Sequence, residues 1–273
     1  MASEKLELGV ITSPGRSPDQ AMAKVAELGL PTCQVSWPAE NNLEQGEELR
    51  QAADRHGVRI TTLWAVPPGR MVWNFVEGPT TIGIVPADMR NRRTEALINA
   101  AHVAAAIGVQ SITTHVGFIP EFPGDEDYYG TLQALKAVVA TCANEGIEFW
   151  FETGQETPVT LLRMIQDIGG DNVGINLDPA NLLMYGKGNP IDAVDVFGEY
   201  VRGMHAKDGE YPTDGENLGR EKPLGEGRVN FPVLLPKLKE KGFCGAVTIE
   251  REIAGPQQIA DIKHAMKLLE PLL

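Results

Sequence analysis

The sequence predicts a single (β/α)8 barrel over residues 1–273. Three observations carry that prediction. Helical segments end at Gly29, Gly57, Gly108, Gly146, Gly169, Gly198 and Gly242, and an apolar strand follows each within a few residues. With the opening strand this makes eight strand–helix units, and about 250 residues is the size of a closed parallel barrel. Four of the later strands deliver a polar residue at the carboxyl end, where barrel sites form. An open doubly wound sheet is the alternative, but no glycine-rich dinucleotide fingerprint follows the first strand.

The elements follow in order. Leu6 to Thr12 is a short apolar strand. Ser17-Pro18-Asp19-Gln20 opens a helix: Ser17 caps, Pro18 suits the first turn and Gln20 completes a capping box. Ala21, Val25 and Leu28 share one face before Gly29 closes the helix. Thr32–Trp37 is the second strand, Asn42–Gly57 the second helix and Val58–Val66 the third strand. Thr157-Pro158 and Asn189-Pro190 each place a capping side chain before a proline. Leu132, Leu135, Val139 and Cys142 repeat at helical spacing, as do Ile259, Ile262, Met266 and Leu269; both stripes read as core packing.

Two connections are too long for simple turns. Residues 67–88 follow the third strand and carry Trp73, Phe75 and Gly78-Pro79; residues 207–230 follow the seventh. Both lie on the carboxyl side of their strands, so the first is expected to act as a lid, with Trp73 and Phe75 closing the site or packing the rim.

Composition narrows the function classes. Lys plus Arg total 24 and Asp plus Glu 37, a formal charge of −13, which argues against nucleic acid and anionic membrane as partners. The N-terminus Met-Ala-Ser-Glu-Lys has no apolar signal core, so a cytoplasmic protein is the expectation. Cys33, Cys142 and Cys244 lie in or beside apolar runs without CxxC spacing and read as buried free thiols.

The polar strand ends are Glu152 in Ile147–Gly154, Asp178 in Val173–Asp178, His205 in Val201–His205 and Glu250 in Ala246–Glu250. They lie 26, 27 and 45 residues apart, one strand–helix unit each, the last widened by the long loop. Two Glu, one Asp and one His form a hard, oxygen-rich set suited to Mn²⁺, Mg²⁺ or Co²⁺, with Zn²⁺ also compatible. A strand-end carboxylate can also cap a helix or pair with a lysine, but four in register favour one metal. His115, ending Ile112-Thr-Thr-His115, is expected to hydrogen-bond substrate, with a fifth ligand or a core histidine as alternatives. His56, His102 and His264 fall on helices and read as surface or packing residues. Gln155, Glu156, Asn181 and Lys207 are candidate substrate contacts beside the ligands. Glu226 reads as shaping the rim or holding His205, and alternation turns Arg251 away from Glu250.

These segments carry a resemblance. Phe149-Trp-Phe-Glu152, Asn176-Leu-Asp-Pro-Ala-Asn181, Met204-His-Ala-Lys-Asp208, Leu224-Gly-Glu-Gly227 and Thr248-Ile-Glu250 resemble the sugar phosphate isomerase/epimerase family, the xylose-isomerase-like TIM barrels. The resemblance covers essentially the whole chain. It implies Glu152, Asp178, His205 and Glu250 as metal ligands, Glu152 and Glu250 as the acid/base pair, a small carbohydrate substrate and a homo-oligomer. Chemistry agrees: a proton leaves the carbon beside a carbonyl, the metal stabilises the enediolate, and two facing carboxylates take and return the proton. Where many relatives have Asp-x-x-His, this chain has Asp178-Pro-Ala-Asn181, a departure from the ketose 3-epimerases. Five histidines in all are too few for the three-metal cluster of the endonuclease IV branch. A lyase acting on a keto sugar, keto-inositol or 3-keto glycoside uses the same site, and a sugar-binding barrel without catalysis is the third reading.

Overall fold

A computed structural model describes residues 5–15 and 17–273. Its barrel strands are β1 (Leu8–Thr12), β2 (Thr32–Pro38), β3 (Arg59–Val66), β4 (Ser111–Thr114), β5 (Glu148–Glu152), β6 (Val173–Leu177) and β7 (Val201–Ala206). A short antiparallel pair, β8 (Asp208–Gly209) and β9 (Glu221–Lys222), lies inside the loop after β7, and β10 (Val247–Ile249) completes the barrel. The eight barrel strands are all parallel; β10 closes the sheet between β7 and β1.

Gly29, Gly57, Gly108, Gly146, Gly169 and Gly242 have the positive φ that stops a helix. Gly198 differs: its φ is −55°, and a 3-10 turn over Gly198–Tyr200 leads into β7 instead. Ser17 accepts the N–H of Gln20 as expected, but its own N–H goes to the Pro14 carbonyl, so Gln20 does not complete the box. The reciprocal capping box forms at Asn42 and Gln45, opening the helix Leu43–His56.

Strand alternation divides the core in two. Phe149 and Phe151 face outward in edge-to-face contact at 5.2 Å, within the same apolar cluster as Leu135, Val139, Leu161 and Met164 of the surrounding helices. Glu148, Trp150 and Glu152 take the alternate face, toward the barrel axis. Trp150 fills the amino-terminal half of that axis over Gly174 and Gly203. A Cβ on those glycines would lie 2.7 Å and 3.0 Å from the indole. The indole N–H donates to Glu148 at 2.6 Å.

The loop after β3 is ordered from within. Arg93, only 1 % exposed, donates to the carbonyls of Pro68 (3.0 Å), Arg70 (3.0 Å), Thr81 (2.8 Å) and Gly83 (2.6 Å). A buried guanidinium is tolerated because these oxygens replace its water. Gly83, at φ +71°, lies against Val116, where a Cβ would be 1.9 Å from the carbonyl oxygen. The two long loops meet where the Phe75 N–H donates to the Glu216 carbonyl at 2.9 Å.

Candidate metal centre at the barrel mouth

Each predicted ligand reaches the mouth by a different local device. Glu152 is the last residue of β5. Asp178 follows β6 and caps the short helix Pro179–Met184, accepting the Asn181 N–H on Oδ1 at 2.8 Å and leaving Oδ2 for the centre. His205 lies within β7. Glu250 stands one residue past β10 and ties its N–H to the Ala206 carbonyl at 3.2 Å. One ligand atom from each of the four residues lies within 4.8 Å of the others.

Beneath the ligands is a network that the sequence reading missed. Gln34 of β2 donates through Nε2 to Asn176 Oδ1 at 2.9 Å, which turns its Oε1 toward His205 Nε2 at 2.7 Å. His205 therefore donates from Nε2, and its Nδ1 faces the centre. Asn176 in turn donates to Glu152 Oε2 at 2.6 Å and orients that carboxylate.

The ligand atoms are close without being bonded to one another. His205 Nδ1 lies 2.9 Å from Glu152 Oε1, 2.7 Å from Glu250 Oε2 and 3.8 Å from Asp178 Oδ2. Yet His205 Nδ1, Glu250 Oε2 and Asp178 Oδ2 are buried and satisfy no hydrogen-bond geometry. Buried polar atoms are nearly always partnered. Atoms that converge on one point without facing one another could hold a shared cation. Three carboxylates and an imidazole suit a hard or borderline divalent ion.

The electrostatics express the same excess of negative charge. Burial disfavours a charged His205, but Glu152 and Glu250 outweigh it and push its pKa well above the usual imidazole value. A bound cation would answer that excess and would take Nδ1 as a deprotonated ligand. Burial raises the pKa of Glu152. Burial acts the same way on Glu250, but Lys207 and His205 override it and hold that carboxyl well below its usual range.

A cavity of about 330 Å³ opens above these ligands, with His115, Asn181 and Trp73 on its wall. His115 stands one residue past β4, its Nε2 4.0 Å from Glu152, between the indoles of Trp64 (5.7 Å) and Trp73 (5.2 Å). Burial, then Lys207, lowers its pKa to about 3, so it is a neutral hydrogen-bonding group. Lys207, 2 % exposed, reaches Glu252 at 2.6 Å and lies 3.5 Å from both Asp178 and Glu250. Gln155 and Glu156 are buried off the cavity wall, and their side-chain oxygens and the Gln155 amide nitrogen have no partner; burial pushes Glu156 up to about 8.

Other expectations resolve plainly. Arg251 turns away from Glu250 and binds Asp261 and Glu221. Glu226 is exposed and does not hold His205, whose partner is Gln34. Cys33 and Cys142 are buried, but Cys244 is exposed: it lies in the turn before β10, beside Arg202 in a surface groove at the barrel's amino end, outside the core. His56 and His102 pair with Asp19 and Glu145 on helix surfaces, and His264 is exposed.

Known proteins place this architecture. A crystal structure of a xylose isomerase domain protein from Planctomyces limnophilus is 33 % identical and superposes with a TM-score of 0.92, covering 98 % of this chain and 97 % of that one. A putative hydroxypyruvate isomerase of Homo sapiens is 24 % identical over 83 % of this chain and 81 % of its own length. An uncharacterised protein of Methanocaldococcus jannaschii is 29 % identical, but the match spans 61 % of this chain and 60 % of that relative. The family profile described as xylose isomerase-like TIM barrel matches residues 22–272, and the chain belongs to that family.

Proposed function

We propose that this chain is a divalent-metal-dependent isomerase or epimerase of a keto sugar or sugar derivative, with Glu152 and Glu250 as its acid/base pair. The observation that carries the reading is the convergence of four buried ligand atoms within 4.8 Å at the floor of the cavity. Glu152, Asp178, His205 and Glu250 would hold the ion, which when bound polarises the substrate carbonyl and stabilises negative charge on its oxygen.

The remaining steps belong to the side chains. Glu152 and Glu250 face the same bound carbon from different strands, so one removes the proton beside the carbonyl and the other returns it. Their environments differ as an acid/base pair requires: Lys207 and His205 keep Glu250 ionised, whereas Glu152 is raised by burial. Neutral His115 hydrogen-bonds a sugar hydroxyl, and Asn181, which also lines the cavity, offers its amide. Trp73 covers the site from the loop after β3 and excludes water.

The test is exchange with solvent. Metal-loaded protein is incubated in heavy water with a panel of keto sugars, keto-inositols and 3-keto glycosides. Deuterium uptake with conserved skeletal mass supports the isomerase or epimerase. Uptake with loss of water or aglycone assigns a lyase to the same carboxylates; Asn181, standing where many relatives have histidine, is the feature that favours that second reading. No uptake with any substrate rejects both.

A further inference from the structure

Barrels of this kind often bind phosphate with the loops after their last two strands, through backbone N–H groups, helix N-termini and basic side chains. Here the amide nest and the nearby basic side chains are already engaged. In the loop after β7, the carboxylate of Asp208 is 1 % exposed. It accepts N–H bonds from Gly209 (2.8 Å), Gly225 (2.9 Å), Gly227 (3.1 Å) and Val229 (2.9 Å). This is an anion nest turned inward on the chain's own anion. The fit is close enough that a Cβ at Gly227 would lie 2.1 Å from the Asp208 carboxylate.

The nearby cations are committed in the same way. Arg251, just past β10, binds Asp261 at 2.8 Å and Glu221 at 2.6 Å. Lys207 binds Glu252 at 2.6 Å with Asp178 and Glu250 close behind. Among the described residues, no lysine or arginine lines the cavity. Glu252 does line it, with its side chain 56 % exposed at the rim.

We propose that the cavity takes an uncharged keto sugar and turns away phosphorylated and carboxylated ones, with Glu252 as the specificity-determining residue at the rim. This rests on the reading of the cavity as a sugar site. A phosphate or carboxylate entering here meets Glu252 first, and below it the carboxylates of Glu152, Asp178 and Glu250 would outnumber the two positive charges of a bound divalent ion. It finds no free amide nest at Asp208 and no uncommitted lysine or arginine on the described wall. Like charges held together under partial desolvation repel, and an anion that loses its water without gaining donors binds poorly. A neutral sugar suffers neither penalty, and its hydroxyls can donate to Glu252.

The experiment uses the metal-loaded full chain and matched probes: D-fructose, D-tagatose and D-psicose, the 6-phosphate of each, and hydroxypyruvate. Binding is read from the fluorescence of Trp64 and Trp73, which line the cavity, and turnover from deuterium uptake. The free sugars are expected to bind at least about tenfold more tightly than their phosphates or hydroxypyruvate. Glu252→Gln should narrow that gap several-fold, and Glu252→Lys should narrow it further. Equal or tighter binding of the phosphates or hydroxypyruvate overturns the proposal, as does a gap unchanged in both variants or a failure of every free sugar to bind. Free sugars that bind selectively without deuterium uptake would sink the isomerase reading and leave the charge selection standing. Uptake that favours phosphates would do the reverse.

Discussion

At the amino-terminal end of the barrel axis, Trp150 lies over Gly174 and Gly203, and its N–H is paired with Glu148. At the carboxyl end, Glu152, Asp178 and His205 are buried and Glu250 is partly so, with Asp178 Oδ2, His205 Nδ1 and Glu250 Oε2 all buried and unpartnered. Both ends use residues that point inward from the same strands: Trp150 and Glu152 are two positions apart on β5, and Gly203 and His205 two positions apart on β7. The floor is filled by an indole whose N–H is paired, and it supports the fold. The mouth holds like charges together and leaves them unsatisfied, an arrangement that persists because the floor and walls hold it.

The sharpest way to break that contrast is to disarm the mouth. Glu152→Gln and Glu250→Gln should each lower turnover by about 10²- to 10⁴-fold, the range for losing a general acid or base. Burial holds Glu152 above its usual range, so Glu152→Gln should not lower the thermal midpoint of chelated protein, whereas Glu250→Gln removes a charge that Lys207 and His205 stabilise and should lower it. Near-wild-type turnover would remove the acid/base assignment. A large drop in the midpoint of Glu152→Gln would show that this carboxylate also holds the fold.

The mouth was more legible in the sequence than what supports it. Glu152, Asp178, His205 and Glu250 each end a local apolar run, and a strand-end polar residue is a local signal. The glycine stops were local too, apart from Gly198, where a 3-10 turn takes over. Gln34 is 142 residues from Asn176 and 171 from His205, so only closure of the barrel brings them together. Arg93 gave no hint that it would gather four loop carbonyls, because helical spacing does not say which cation is buried. Cys244 misled because its apolar neighbours, Phe243 and Val247, enter the core while the turn turns Cys244 outward.

Glu156 extends the contrast to pH. Its folded pKa of about 8 lies above the ordinary carboxylate value of 4.5. The folded protein therefore keeps this proton longer than the unfolded chain, and stability falls as pH rises between about 4.5 and 8. Glu156→Gln should flatten that part of the profile, by up to a few kcal/mol across the window. Denaturant unfolding at several pH values reads the difference; parallel profiles for variant and wild type would show that Glu156 is already ionised in the fold.

The floor should answer in the opposite way from the mouth. Gly174→Ala drives a Cβ to 2.6 Å from Arg202 Cγ and 2.7 Å from Trp150. Overpacking of this kind costs about 1–3 kcal/mol, while kcat/KM of the folded fraction should hold. Gly203→Ala is the informative exception, because its Cβ would lie 2.7 Å from Asn176 Oδ1, and Asn176 orients Glu152 and Gln34. That variant should lose both stability and metal affinity. If Gly203→Ala loses stability alone, the floor and the ligand network are separate units.

The smallest expected effect concerns the thiols, and it tests the boundary between core and surface at the amino end. Burial pushes Cys33 and Cys142 up to about 12, so neither supplies thiolate near neutral pH. Cys244 is exposed in its surface groove. One equivalent of a thiol reagent should therefore react quickly with native protein, and the other two only on unfolding. Alkylated Cys244 should leave turnover unchanged, since the groove opens at the opposite end of the barrel from the candidate metal centre. Loss of activity on modification would mean that the floor transmits strain through Trp150, which shares this groove, to Glu152 two residues along β5.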